Sequence, residues 1–323
     1  ELDDALLPNQ LLASLCPHLE VPWPAASVVQ FEVTKGGQRI ACNAPLSGDV
    51  MLDGENQPCR FITRYDAQVW PLAAKEIRTV PLTRLAEMPV PRMREPVQSV
   101  LRLTVESTDQ QPISACELDR LGFYLHGSDR FRLHELLAGH LSGVLVKDTA
   151  SGQYQQLPAD SVRFRGYGED EGLLPLEPGV NPGLRLLREY FLFPDKFLFG
   201  EFNGLDCSEW GETVEFYLLF DRHIGAILPD SMRLNCVPVV NMFRQAIEPI
   251  PLSAGRLEYQ VTGDQFRHAQ VEVHNLIELN TLLPSGKVQP LQPLYGEQSS
   301  TYGYWVARRE SSQLASVPGT ELY

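Results

Sequence analysis

No C-x-x-C pair occurs in this 323-residue chain, whose six cysteines (Cys16, Cys42, Cys59, Cys116, Cys207, Cys236) are scattered. That spacing excludes a zinc ribbon and a dense disulfide framework, and reduced thiols in a cytosol fit it best. No apolar run approaches the roughly 20 residues of a membrane-crossing helix, and no charged-then-apolar leader opens the sequence, so direct membrane insertion is not expected. Basic residues are scarce: 27 Lys and Arg stand against 41 Asp and Glu, a formal net charge of −14. Such a chain repels phosphate and anionic lipid at long range, which argues against nucleic acid as a partner. G-x-G-x-x-G is absent, and "TKGGQR" has neither the spacing nor the Lys-Ser/Thr of a phosphate-binding loop.

What remains is an ordinary globular composition, 43% hydrophobic and 21% charged, with length enough for two cores. The first residues, "ELDDALLPNQLLASL", carry Leu7, Leu11 and Leu15 at helical spacing, and "PGTELY" stops as a strand begins; we read the chain as a piece of a longer one. Pro22 and Pro24 force an extended linker, so residues 1–26 form a helical lead-in and Pro-rich connection. From Ser27 the period changes to two. "SVVQFEV", "CRFITRYDAQVWPL", "SVLRLTVES" and "LDRLGFYLHG" alternate as half-buried strands do, and "GVLVKD" and "SVRFRGY" return to strand after the helix "SDRFRLHELLAGHL". Further candidates are "KFLFGEF", "TVEFYLLF", "RLNCVPVVNMF", "RLEYQVTG", "VEVHNLIEL" and "YGYWVARRE". Residues 34–58 and 284–300 are polar and turn-rich. The fold class is mainly β (α+β), two β-rich domains with a few short helices. The acidic "GEDEG" loop and prolines 175, 178 and 182 mark the boundary, giving domains over 27–155 and 156–323.

Two helices stand out. "SDRFRLHELLAGHL" has Ser128 as its cap and Phe131, Leu133, Leu136 and Leu137 on one side. The second begins at Asn181-Pro182, a cap followed by proline at the first helical position, and ends at Pro194. Its Leu184, Leu187 and Phe191 form a stripe, with Arg185 and Glu189 on the opposite, wet side. It opens "REYFLFPDKFLFGEF", in which Tyr190, Phe191, Phe193, Phe197, Phe199 and Phe202 make six aromatics of fifteen residues. Glu189, Asp195 and Glu201 against Lys196 do not suit base stacking. Rings on one helix stripe and one strand face are read as a core-filling corner, each contributing roughly 1.5–3 kcal/mol.

Candidate chemistry is thin. In "HELLAGH" the second histidine, His140, lies six residues after His134, about 120° off the same helix face, so the two cannot share one ion on a regular helix. Ser142 in "GHLSG" is misplaced for a nucleophile elbow. Glu169, Asp170 and Glu171 are contiguous, unlike the alternating ligands of a hard-metal loop. Asp66 with Glu76, or Asp221 with Glu248, carry little weight as acid/base pairs without a distance. No catalytic, metal or cofactor-binding residue is assigned.

Several long segments together resemble the TssF (ImpG/VasA) family of the type VI secretion system. They are "LCPHLEVPWPAASVVQFE", "PCRFITRYDAQVWPL", "LRLTVES" with "LGFYLHG", "HELLAGHL", "LRLLREYFLFPDKFLFGEFNGLD", "RLNCVPVVNMF" with "AIEPIPL", and "GYWVARRE" before "PGTELY". The stretch before Cys59 departs from the family's L-P-x-G-T-like turn. The resemblance implies a non-enzymatic, cytoplasmic baseplate wedge component, docked at an inner-membrane-anchored complex and needing no cofactor. Its implied partners are TssG, TssK, TssE and a second TssF copy, with the spike hub nearby. The implied structural signature is Tyr190, Phe191, Phe193, Pro194, Phe197 and Phe199 with Asn235, Pro238 and Asn241. In "RLNCVPVVNMF", Val237, Val239 and Met242 are expected to face inward, the asparagines capping backbone groups where Pro238 removes an N–H. The rival reading is a β-sandwich binding carbohydrate or another small ligand, which needs surface aromatics such as Trp23, Trp70, Trp210 or Trp305 flanking one cleft.

Overall fold

A computed structural model describes residues 21–52, 55–91, 93, 95–174, 181–263, 271–294, 302–311 and 320–322. The leucine-rich lead-in and Cys16 lie outside them. The chain divides into two compact units, residues 25–241 and residues 242–323 with 1–24.

The unit of residues 25–241 rests on two antiparallel sheets, with strands numbered in chain order. The larger runs Tyr154–Pro158 (β10), Leu141–Asp148 (β9), Thr213–Phe220 (β13), Ser99–Ser107 (β7) and Leu72–Val80 (β6). The smaller runs Val162–Phe164 (β11), Phe199–Asn203 (β12), Arg120–Leu125 (β8) and Met232–Leu234 (β14). A further sheet orders Ala26–Gln30 (β1), Cys236–Val240 (β15), Glu55–Thr63 (β4) and Pro45–Leu52 (β3), while Gln38–Ile40 (β2) pairs with Ala67–Val69 (β5). The polar stretch read as turns over 34–58 thus folds into β2 and most of the β3–β4 hairpin. Backbone pairing needs no apolar pattern there, only matched register.

The two main sheets bury one core. Leu103 of β7 faces Phe216 of β13, Leu101 faces Leu218, and both rows pack with Phe123 and Phe202 of the smaller sheet. Each such ring contributes about 1.5–3 kcal/mol by burial. The helix Arg130–Gly139 (α1) adds Leu133, Leu136 and Leu137. Its cap residue is Asp129 rather than Ser128, and Asp129 uses its carboxylate elsewhere, accepting from Leu228 N at 3.3 Å and pairing with Arg132 at 3.2 Å.

Alternation in β7 reads as half-buried, yet both faces of β7 and β13 are covered. The reverse face carries Val100, Leu145, Tyr217 and Leu219 beneath a strap holding Leu85, Met88, Val90, Met93 and Val97. The strap's prolines 81, 89, 91 and 96 lack the N–H needed to extend a ladder, so it lies over the sheet without joining it. Arg102 on that face is buried because Glu76 and Glu215 of the flanking strands accept from it at 2.7 and 2.8 Å.

The division read at residues 155/156 falls inside this unit. β9 pairs with β13 and β8 with β12 across it, and the described residues 166–174 of the acidic loop pack against the same unit. In the other unit, Leu279–Leu282 (β16), Val288–Pro293 (β17) and Tyr304–Trp305 (β18) form a three-stranded sheet whose β17–β18 pair is parallel, and Arg309–Ser311 (β19) pairs with Thr320–Leu322 (β20). Among the described residues of "RLEYQVTG" and "VEVHNLIEL", only the bridge at Val261 and the start of β16 at Leu279 show strand pairing.

Candidate functional site

The aromatic segment begins on the helix Pro182–Leu192 (α2), and its start follows the sequence. Asn181 is the cap, its side chain accepting from Gly183 N at 2.8 Å, and Pro182 occupies the first turn, where its missing N–H costs nothing. Its end comes at Leu192, two residues before Pro194 opens the 3-10 turn Pro194–Leu198. The facing of α2, however, is the reverse of the expected one. Arg185 and Glu189 are the buried residues, while Leu187, Tyr190 and Phe191 are exposed.

Glu189 is fully buried because every charge it brings is met. Its Oε1 accepts from Leu173 N at 2.6 Å and Leu174 N at 3.3 Å, and its Oε2 accepts from the Nζ of Lys196, which is itself fully buried. Burial lowers the Lys196 pKa from the usual lysine range, opposed by the Glu189 carboxylate. Arg185 donates to Gly168 O at 2.8 Å and Glu169 O at 3.3 Å, and Arg64 reaches Gly172 O with Nε and Nη2 at 3.1 and 2.9 Å. The cluster thereby grips the acidic loop 166–174 by its backbone. Three side chains satisfy carbonyls and amides that a buried loop would otherwise leave unpaired.

Within that loop Glu171 turns inward. It accepts from Arg165 Nε at 3.0 Å, Gly166 N at 2.7 Å and Gly168 N at 3.1 Å. Burial pushes its pKa up, but these hydrogen bonds outweigh it and hold the carboxyl below its ordinary value. Gly166 is required there: its φ is +99°, and a Cβ would meet Tyr65 Oη at 2.9 Å. Tyr65 is packed edge-on against Phe199 at 5.8 Å, and its phenol is driven well above the normal range by burial and then by Glu171.

The six rings therefore split. Phe199 and Phe202 are core residues, with Phe202 against Phe123 and Phe216 at 4.9 and 4.8 Å. Phe193 and Phe197 are half-buried, as is Pro194. Tyr190 and Phe191 are 54% and 69% exposed, so the corner is not filled from the helix side. On the surface, Tyr167 meets Phe197 at 5.0 Å, Phe197 meets Tyr190 at 6.4 Å, and Tyr190 meets Phe191 edge-on at 5.7 Å, with exposed Leu187 on the same helix.

The remaining sequence candidates sit elsewhere. Asn235, at φ 58°, accepts from Trp70 N at 2.9 Å and donates to Trp70 O at 2.8 Å and Leu72 O at 3.2 Å, tying β15's entry to the chain before β6. Val237, Pro238 and Val239 are buried, and Arg64 N reaches Pro238 O at 2.9 Å. The side chain of Asn241 is exposed, and its backbone N–H donates to Ala25 O at 2.8 Å. Met242 is half-buried, lying beyond the end of this unit. His134 stacks on Phe164 at 4.0 Å, whereas His140 Nδ1 lies 3.1 Å from Asp221. Asp66 pairs with Arg39 and Glu76 with Arg102. Among the described residues no group of three or more His, Cys, Asp or Glu could hold a metal ion, and no helix is long and apolar enough to cross a membrane. Trp70 and Trp210 are core residues, so they cannot flank a sugar cleft.

Fold and surface together define a mainly β protein that spends buried charge on fixing a loop and leaves aromatic rings in the open. Over residues 1–323 the chain matches the family described as "Type VI secretion system, TssF", and it belongs to that family. It is 32% identical over 332 residues to "Type VI secretion system component TssF1" of Pseudomonas aeruginosa, covering 95% of this chain and 53% of that protein. The chain thus spans about half the length of the curated relative it matches. In fold it is similar, at a TM-score of 0.77 and 21% identity, to a chain of the TssK-TssF-TssG baseplate subcomplex seen by cryo-electron microscopy, over 97% of this chain and 60% of that one.

Proposed function

We propose that the protein is a structural component of a type VI secretion baseplate wedge, assembling with TssG and TssK. The match to the TssF family along the whole chain carries this reading. The fold shared with a chain from a TssK-TssF-TssG subcomplex supports it. TssE, a second TssF copy and the spike hub complete the surroundings we assign to it, in the bacterial cytoplasm beside the inner-membrane-anchored complex. No catalytic role is assigned, since the buried titratable side chains at α2 bind loop amides and carbonyls, as structural groups do. The carbohydrate-binding alternative loses its platform with Trp70 and Trp210 in the core.

Co-expression of the full-length protein, affinity-tagged, with TssG and TssK of the same genome tests the reading. A co-eluting complex is expected. A monodisperse full-length monomer that captures neither overturns it.

A further inference from the structure

The outer face of α2 leaves a contiguous set of large apolar side chains uncovered beside an acidic turn. Tyr167, Phe197, Tyr190 and Phe191 follow one another at ring distances of 5.0, 6.4 and 5.7 Å, and Leu187 stands one position before Arg188 on the same helix. Leu187, Tyr190, Phe191 and Tyr167 are each half or more exposed. They are held outward by the buried contacts of Arg185 and Glu189 on the opposite side, so the helix cannot roll to hide them without exposing an ion pair and freeing two loop amides.

The turn gripped by Arg185 contributes charge to the rim. Glu169 and Asp170 are exposed, and neither carboxylate enters an ion pair among the described residues, whereas Arg165, Arg185 and Lys196 point inward to partners of their own. An apolar centre with an anionic edge on a chain of net charge −14 suits a cationic edge opposite. A second copy of this chain would meet the same patch across a two-fold axis and set Glu169 and Asp170 against like charge. An anionic membrane is disfavoured for the same reason.

We infer that the exposed face of α2 is a docking site for a protein partner whose contacting element is apolar at its centre and bordered by Lys or Arg. The inference deepens the baseplate reading and rests on it: within the wedge, this face meets TssG or TssK. The aromatic residues supply the anchors, in keeping with the enrichment of Tyr and other rings at the energetic centre of interfaces. The acidic turn supplies orientation and speeds encounter.

The test uses full-length protein and its TssG and TssK partners. Tyr190→Ser/Phe191→Ser and, separately, Leu187→Ser remove the centre; Glu169→Lys/Asp170→Lys inverts the rim. Unchanged thermal unfolding certifies each fold. The centre variants are expected to weaken association about tenfold or more at any salt. The rim variant is expected to slow association several-fold at low salt and to match wild type at high salt. Variants that bind like wild type overturn the docking site while leaving the baseplate reading intact. A wild-type protein that self-associates through these rings assigns the face to a second copy and also overturns it. Wild type that captures neither partner brings down both.

Discussion

Replacing Lys196 by Met keeps a long, flexible stem and removes only the charge. The ammonium is fully buried against Glu189, whose other oxygen accepts the amides of Leu173 and Leu174. Without its counter-ion the carboxylate must stay ionised in a dry site or take up a proton, and breaking such a pair costs about 3–5 kcal/mol. For a unit of roughly 200 residues, each kcal/mol moves the melting temperature by about 2–4 °C, so Lys196→Met lowers it by about 6–20 °C. Adding Glu189→Gln removes the orphaned charge while keeping an acceptor for the Leu173 and Leu174 amides. The double variant returns to within about 1–2 kcal/mol of wild type, because a neutral amide that still accepts from Leu173 N and Leu174 N leaves no uncompensated charge. Thermal and urea unfolding of the two single variants and the double variant give the coupling. If the double variant is as unstable as the sum of the singles, the two groups do not neutralise one another, and the ion pair is not what holds α2 with its charged face inward.

Three further outcomes follow from the same region. Phe202→Ala, at a fully buried ring, lowers stability by about 3–5 kcal/mol, whereas Phe191→Ser, 69% exposed, stays within about 0.5 kcal/mol of wild type; urea midpoints compare the two directly. Gly200→Ala places a Cβ against the Phe123 ring and costs about 1–3 kcal/mol, measured the same way. The depressed pKa of Glu171 stabilises the fold above the unfolded value of about 4.3, and this stability is lost as pH falls through the folded pKa. Melting temperature against pH should drop below about pH 4 in wild type and drop less in Glu171→Gln.

The strands were the most legible part of the chain, since β7 and β8 occupy stretches read as alternating and β9 and β13 occupy short apolar runs read as strands. Alternation could not tell that a proline strap covers the reverse face of β7 and β13, because the strap contacts it only through side chains such as Met88 and Met93 far from any periodic signal. The ends of α2 were written in Asn181, Pro182 and Pro194, yet its facing was misread. Periodicity assigns the apolar stripe inward on the assumption that charge is costly to bury, and that cost vanishes when the counter-ion and two amides are supplied from elsewhere in the fold. The one hint within the segment was Lys196, the sole cation among "EYFLFPDKFLFGEF", seven residues after Glu189. Loop amides 173 and 174 come to Glu189 only in three dimensions, so no spacing rule reports them. Likewise the acidic loop looked like a boundary because its anchors, Arg64, Arg165 and Arg185, are distributed over the chain.

Hydroxyl-radical footprinting of the full-length protein, alone and in complex with TssG and TssK, tests most directly the claim that this fold turns its aromatic rings outward for a partner. The aromatic face of α2 is predicted to be labelled readily at Tyr190 and Phe191 in the free protein and to lose that labelling in the complex, with the core ring Phe202 silent in both. Equal labelling of Tyr190 and Phe191 in the free and assembled protein would contradict it.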